Sequence, residues 1–129
     1  MSVRSFLAGA SAATALVLLA ACSSAPPSAA SIARRIPGCH PRYPGAVSAY
    51  ATGEVFCAPP GEQVYLGTFS SAHLARSWMA ANSNGADACI QGNGWAAQVL
   101  FLSTSPFAAA EARMAKALGG REVSIGQCY

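Results

Sequence analysis

The chain has 129 residues, of which 53% are hydrophobic and only 10% are charged. This composition excludes an intrinsically disordered or polyelectrolyte protein, which needs high charge and low hydrophobicity, and the length leaves room for one small domain. The formal net charge of +3 is too weak to indicate a nucleic-acid partner.

The first 21 residues have the pattern of a secretory signal. Arg4 supplies a basic start, and no charged residue lies between Phe6 and Ala21. This apolar run of about 16 residues is shorter than the roughly 20 residues that a membrane-spanning helix needs. We therefore predict that residues 1–21 are a signal peptide.

The signal ends in the sequence Leu19-Ala20-Ala21-Cys22. It resembles the lipobox of bacterial lipoproteins, in which an aliphatic residue and two small residues precede a cysteine. The resemblance implies that the sulfur of Cys22 is acylated and that cleavage makes Cys22 the new N-terminus. Because two acyl chains anchor a protein stably, the implied location is the extracytoplasmic face of the cell membrane. The alternative is an ordinary cleaved signal followed by a chance cysteine.

Residues 22–38 are rich in small side chains and proline. Few of these could pack into a core, so we predict a lipidated N-terminus and a flexible tether, with the folded domain at 39–129. A coil of residues 23–36 would span roughly 20 Å on average. The basic pair Arg34-Arg35 either contacts anionic headgroups or is simply solvated.

Four cysteines fall in the predicted domain: Cys39, Cys57, Cys89 and Cys128. In a small exported domain this number indicates two disulfides, and the sequence leaves all three pairings open. A metal site and free buried thiols are the alternatives. Zinc sites commonly use closely paired ligands such as Cys-x₂-Cys, which the sequence lacks, so we predict no metal and no cofactor.

The first half of the domain predicts a hairpin followed by a helix. Residues 53–57 and 63–69 are strand candidates, and the proline-rich turn between them joins the two. Ser70-Ser71 offers an N-cap. The apolar spacing of Leu74 and Trp78 then predicts an amphipathic helix of about 12 residues.

The second half repeats this pattern. A short strand at 87–91 and a longer one at 95–103 flank Gly92-Asn93-Gly94, a strong hairpin-turn signal. Both faces of the longer strand are mostly apolar, which favours a central position. Ser105, as N-cap, and Pro106, in the first turn, would begin a second helix that Gly119-Gly120 ends. Residues 121–125 could form a last edge strand.

These elements predict an α+β fold: a small antiparallel sheet with two helices on one face, a ferredoxin-like β-α-β-β-α-β unit preceded by an extra strand. In that arrangement the strands at 87–91 and 121–125 lie at opposite edges. A bridge between Cys89 and Cys128 would then be awkward.

The sequence contains no recognisable catalytic motif. His40 and His73 are the only histidines, and we predict a loop position for the first and an exposed helix position for the second. Nucleophile-elbow, zinc-protease and phosphate-loop patterns are absent, so we predict no catalytic residue. Trp78 and Trp95 are predicted in the core, whereas the tyrosines either line a groove or are half-buried; these are Tyr43, Tyr50 and Tyr65.

Two further resemblances concern the domain. Val55-Phe56-Cys57, the strand after it, the helix and Gly92-Asn93-Gly94-Trp95 look like small actinobacterial lipoproteins of unassigned activity. That likeness covers about residues 53–120 and implies only an envelope location. The segment 65–71, Tyr-Leu-Gly-Thr-Phe-Ser-Ser, is similar to the opening of SPOR peptidoglycan-binding domains.

We therefore predict a lipid-anchored cell-envelope protein with a small non-enzymatic binding or interaction domain. Its partners would be the membrane, through Cys22, and an envelope protein or peptidoglycan. The alternative function is a SPOR-like peptidoglycan-binding module, and an enzyme is the third class considered.

Overall fold

The computed structural model describes residues 26–82, 85–102, 107–124 and 128. The predicted signal peptide, the lipobox-like sequence ending at Cys22, and Ser105-Pro106 lie outside the described residues. The described strands are β1 (Gly53–Cys57), β2 (Glu62–Thr68), β3 (Ala88–Gly92), β4 (Trp95–Phe101) and β5 (Arg121–Val123). The described helices are α1 (Ala29–Ala33), α2 (Ala72–Asn82) and α3 (Ala108–Leu118). The predicted α+β class is confirmed.

The five strands form one antiparallel sheet in the order β1-β2-β4-β3-β5. β4 pairs with β2 along its whole length and with β3 through the predicted hairpin. At the turn of that hairpin, Gly94 has φ 78°, a value that favours glycine. The prediction that β4 is a central strand with apolar residues on both faces is confirmed.

β5 lies beside β3, where Cys89 pairs with Val123. The ferredoxin-like prediction is wrong at this point, because it places the last strand beside β2 and the strands at 87–91 and 121–125 at opposite edges. The local hairpin of β1 and β2 already occupies the outer edge of β2. The outer edge of β3 is therefore the one that receives β5.

The helices cover both faces of the sheet, so the prediction of two helices on one face is wrong. The connections β2-α2-β3 and β4-α3-β5 each step over one strand in the same direction along the sheet. Their first strands, β2 and β4, run antiparallel. Since such crossovers are almost always right-handed, α2 and α3 must lie on opposite faces.

The first face of the sheet carries the larger core, formed with α1 and α3. Its strand residues include Val64, Leu66, Ile90 and Val99. Trp95, 5% exposed, also belongs to this face, and its indole lies over a glycine: a Cβ added to Gly120 would be 2.6 Å from Cη2 of Trp95. The prediction that Trp95 is a core residue is confirmed.

α1 forms inside the segment predicted as a flexible tether, so that prediction is wrong for residues 29–36. Ser28 accepts a 3.1 Å hydrogen bond from the backbone N–H of Ser31 and caps the helix. Ile32 is fully buried and Ile36 is 4% exposed. The small buried alanines on either side of Ile32, which are Ala29, Ala30 and Ala33, let the helix approach the sheet closely. This explains why a segment poor in large side chains still packs.

Arg35, two residues after the end of α1, connects this segment to α3. Its Nη1 donates a 2.8 Å hydrogen bond to the carbonyl oxygen of Leu118, at the C-terminal end of α3. Gly119 follows in a left-handed conformation, φ 73°, and ends the helix as predicted. At the other end, the N-cap position belongs to Phe107, which makes no side-chain cap bond. The predicted N-cap, Ser105, lies outside the described residues.

α2 packs on the second face. Ser71 caps it by accepting a 3.2 Å hydrogen bond from the backbone N–H of Leu74, in agreement with the predicted N-cap pair. Trp78 is fully buried, as predicted, and lies with Ala75 and Met79 over β2, β3 and β4.

The four domain cysteines form two disulfides, Cys39–Cys57 and Cys89–Cys128. The first joins the segment after α1 to β1, with Cα atoms 5.4 Å apart. The second joins β3 to the segment after β5, with Cα atoms 6.2 Å apart. The predicted difficulty of the second bridge disappears because β5 is the neighbour of β3.

Candidate binding groove

A buried carboxylate connects the elements on the second face of the sheet. Glu54 in β1 is only 2% exposed and is the one charged residue that is buried among the described parts of the chain. It accepts hydrogen bonds from Tyr65 Oη, from Trp78 Nε1 at 2.9 Å and from the backbone N–H of Ser48 at 3.2 Å. These donors come from β2, from α2 and from the loop before β1, so all four segments meet at one side chain.

The hydrogen bonds determine the protonation of this cluster. Burial alone raises the pKa of Glu54. The hydrogen bonds from Tyr65, Ser48 and Trp78 together lower it by more than burial raises it, so the carboxyl pKa lies below its ordinary value of 4.5. Burial, with the bond to Glu54 and its charge, raises the pKa of Tyr65 to about 12. Tyr65 therefore keeps its proton and Glu54 its charge at neutral pH, which suits a fixed hydrogen bond rather than proton transfer.

Aromatic rings surround the cluster. The rings of Tyr65 and Trp78 have centroids 5.0 Å apart, and those of Phe69 and Trp78 are 5.2 Å apart, both pairs being tilted. Such arrangements are favourable for aromatic side chains. Together with the bond to Glu54, they hold the ring of Tyr65 in one orientation.

Beyond the C-terminal end of α2, the second face of the sheet is open. A groove of about 560 Å³ lies here, within the size range of small-molecule sites. Its lining residues are Arg42, Phe56, Cys57, Ala58, Gln63, Val64, Tyr65, Asn82, Gly85, Ala86, Gln98 and Leu100.

The centre of the groove is a row of side chains on three neighbouring strands. Phe56 of β1 is the register partner of Tyr65 of β2, which in turn is the partner of Gln98 of β4. We call these three residues, two aromatic rings and one amide, the aromatic row. Phe56 is 41% exposed, whereas Gln98 is buried and donates a hydrogen bond of 3.4 Å to the sulfur of Met79. The row therefore presents one accessible ring beside one fixed ring.

Arg42 forms one border of the groove. Its backbone pairs with that of Phe56 through two hydrogen bonds, Arg42 N–H to Phe56 O at 2.8 Å and Phe56 N–H to Arg42 O at 2.9 Å. This bridge holds a guanidinium group at the edge of an apolar surface. Aromatic rings with amide groups and one arginine suit a ligand that has both flat apolar parts and polar or anionic groups.

Of the tyrosines and histidines singled out from the sequence, only one lines the groove. Tyr65 lines the groove, but Tyr43 and Tyr50, 69% and 40% exposed, are not in its lining. His40 lies in a loop and His73 is exposed on a helix, both as predicted, and neither lines the groove.

Sequence reasoning missed Arg42, Glu54 and Phe56. The available signal was Glu54 itself, a charged residue inside an otherwise apolar strand, Gly53-Glu54-Val55-Phe56-Cys57. A charge in that position must be paired or hydrogen-bonded.

In residues 26–82, 85–102, 107–124 and 128, His, Cys, Asp and Glu nowhere form a group of three that could hold a metal ion. Nor does any helix found there combine the length and apolar character needed to cross a membrane. No protein-family model, curated protein or solved structure matches the chain.

Proposed function

We propose that the protein is a lipid-anchored protein of the cell envelope whose small non-enzymatic domain binds an envelope component in the groove. The observation that carries this proposal is the aromatic row, in which an accessible ring, Phe56, lies beside Tyr65, a ring fixed by Glu54. The lipobox-like sequence ending at Cys22 supports the location. The two disulfides also support it, because disulfides are stable outside the cytoplasm.

The exposure of the apolar ring of Phe56 to water supports a binding role. Covering an aromatic side chain with a partner gains free energy in proportion to the apolar area removed from water. Because Tyr65 is already held by Glu54 and Trp78, little side-chain freedom remains to be lost there on binding. A rigid aromatic surface of this kind favours tight association.

Photocrosslinking in cells tests the groove. A photoreactive phenylalanine analogue replaces Phe56 in one variant and Leu102 in the other, because Leu102 is a comparably exposed apolar residue, at 59%, outside the groove lining. We expect a discrete adduct from the position of Phe56, and a loss of that adduct when Arg42→Ala is added. Equal labelling from the two positions would contradict the proposal.

Fatty-acid labelling tests the anchor. Cells grown with radioactive palmitate should label the wild-type protein and the Ser23→Ala control, whereas Cys22→Ser should lose the label completely, since the sulfur atom is the proposed acyl acceptor. Undiminished labelling of Cys22→Ser would exclude lipidation at this residue.

A second candidate function is a SPOR-like peptidoglycan-binding module. The observation in its favour is that the similar segment, residues 65–71, runs from β2 into the start of α2 and that Tyr65 lines an open groove. Sedimentation with purified peptidoglycan distinguishes the two candidates. Retention that Phe56→Ala abolishes and Leu102→Ala leaves intact would support this second function. Failure of the wild-type protein to sediment would exclude it and leave an envelope protein as the partner.

A further inference from the structure

The position of α1 limits how the domain can sit on a membrane. Five residues, 23–27, separate Cys22 from Ser28, the cap of α1. At its start, α1 lies against the beginning of β1: a Cβ on Gly53 would be 3.7 Å from Cβ of Ala29. Pro26 and Pro27 line a hollow there together with Gly94 of the hairpin turn. The chain thus enters the fold at one end of the sheet.

We name the two ends of the sheet by these features. The hairpin end contains the turn between β3 and β4, the start of β1 and the start of β5. The groove end contains the opposite strand termini, and its open groove is lined by Cys57, Gln63 and Leu100. Since β2 has seven residues, the two ends are about 20 Å apart along the strands.

The length of the chain between Cys22 and Pro26 determines which end of the sheet can face the bilayer. Each residue spans at most about 3.6 Å, so Pro26 can lie no more than about 14 Å from Cys22. With the groove end on the bilayer, Pro26 would be about 20 Å or more above it. A lipid attached to Cys22 could not reach the membrane in that orientation, but it reaches easily when the hairpin end faces the bilayer.

The chemistry of the hairpin end agrees with contact to phospholipid headgroups. Its exposed groups include the hydroxyls of Ser70 and Ser71, the amide of Asn93 and the guanidinium of Arg121. Hydroxyl, amide and guanidinium groups all donate hydrogen bonds to phosphate. By contrast, Glu62 at the start of β2 and Asp87 just before β3 belong to the groove end.

We propose that the hairpin end is a membrane-contacting surface, seated on phospholipid headgroups, and that the groove opens away from the bilayer. This inference rests on the proposed lipidation of Cys22. It makes the groove accessible to cell-wall polymers or to proteins facing the membrane, rather than to lipid.

Crosslinking to lipid tests the orientation. The full-length acylated protein is reconstituted in vesicles of phosphatidylethanolamine and phosphatidylglycerol, with benzoylphenylalanine in place of either Asn93 or Gln63. These residues are both exposed and lie at the hairpin end and the groove end, respectively. We expect at least fivefold more lipid adduct from the Asn93 position. Equal or reversed yields in acylated, vesicle-bound protein would overturn the inference while leaving the proposed function intact.

A longer linker provides the matched control. Insertion of about fifteen glycine and serine residues after Ser24 removes the length restriction, so we expect the yields from the two positions to approach each other. An unchanged preference in this variant would overturn the argument from chain length. Mass spectrometry of each sample reports acylation of Cys22, and an unacylated, vesicle-free wild-type protein would overturn the proposed function and the inference together.

Discussion

The indole Nε1 of Trp78 donates a 2.9 Å hydrogen bond to Oε1 of Glu54, across a separation of 24 residues in the chain. This bond connects α2 to an outer strand of the sheet over the intervening β2. Because Tyr65 and Ser48 donate to the same carboxylate, a single acidic side chain holds one wall of the groove in place.

Glu54→Gln should destabilise the protein. A glutamine has one acceptor oxygen, and its amide N–H groups would face the donors from Tyr65 or Trp78. Hydrogen bonds to charged groups contribute about 1.5–3 kcal/mol each, so we expect a loss of about 2–3 kcal/mol in the free energy of unfolding, measured with urea. The exposed Glu122→Gln is the control, with a change within about 0.5 kcal/mol. Equal stability of the two variants would contradict the assigned role of Glu54.

Acidic pH should remove the contribution of Glu54 to the stability of the folded protein. Its pKa lies below 4.5 in the folded protein, so its stabilisation is fully present above pH 4.5 and is lost as the pH falls through the folded-state pKa. Burial raises the pKa of Glu62 and Glu111, which acts in the opposite direction, but both are present in wild type and Glu54→Gln alike. We therefore expect the stability difference between these two proteins to shrink below pH 4.5. A pH-independent difference would contradict the pKa direction.

Alkaline titration should separate Tyr65 from the other tyrosines. Its pKa of about 12 exceeds the ordinary value of 10, so the neutral form is favoured in the folded state and the contribution of Tyr65 to stability declines as the pH rises from 10 towards 12. The tyrosinate absorbance that disappears in Tyr65→Phe should be the part that titrates near pH 12. In Glu54→Gln that part should titrate at lower pH, because the neighbouring negative charge is absent.

The two disulfides should contribute unequally to the free energy of unfolding. Their loops span 18 and 39 residues, for which chain-entropy estimates give about 3 and about 4 kcal/mol. We expect the pair Cys89→Ala and Cys128→Ala to lower the unfolding free energy more than the pair Cys39→Ala and Cys57→Ala. Peptide mapping without reduction checks the pairing, and a fragment joining Cys39 to Cys89 would contradict it.

Gly120→Ala should destabilise the contact between Trp95 and the segment before β5. The new Cβ would lie 2.6 Å from Cη2 of Trp95 and 2.9 Å from the carbonyl oxygen of Gln91. Overpacking of this kind costs about 1–3 kcal/mol, visible as a lower melting temperature. Gly45→Ala, where the new Cβ meets nothing within 4 Å, should leave that temperature nearly unchanged. Similar melting of the two variants would rule out the close packing of Trp95.

Most strands and both long helices could be predicted from the sequence because their signals are local. The Gly92-Asn93-Gly94 turn and the two apolar faces of β4 are examples. α1 was missed because its composition, alanine, serine and two isoleucines nearby, matches that of a linker. Only the spacing of Ala29, Ile32 and Ala33 along one helix face indicated burial.

The position of β5 could not be derived in the same way. An alternating segment such as Arg121-Glu122-Val123 shows that a strand can form, but it does not show which edge it joins. That choice depends on the β1–β2 hairpin, which covers the outer side of β2. The groove was missed for a related reason, since Phe56, Tyr65 and Gln98 become neighbours only through the pairing of three strands.

If the protein is exported as proposed, the spacing of the cysteines along the chain has a consequence for their oxidation. In a polypeptide that emerges N-terminus first, Cys39 and Cys57 can pair while the rest of the chain is still being translocated. Cys89 emerges next and finds its native partner only after α3 and β5 have followed. Early closure of the first bridge consumes the thiols with which Cys89 would otherwise mispair, so the order of emergence itself favours the native pairing.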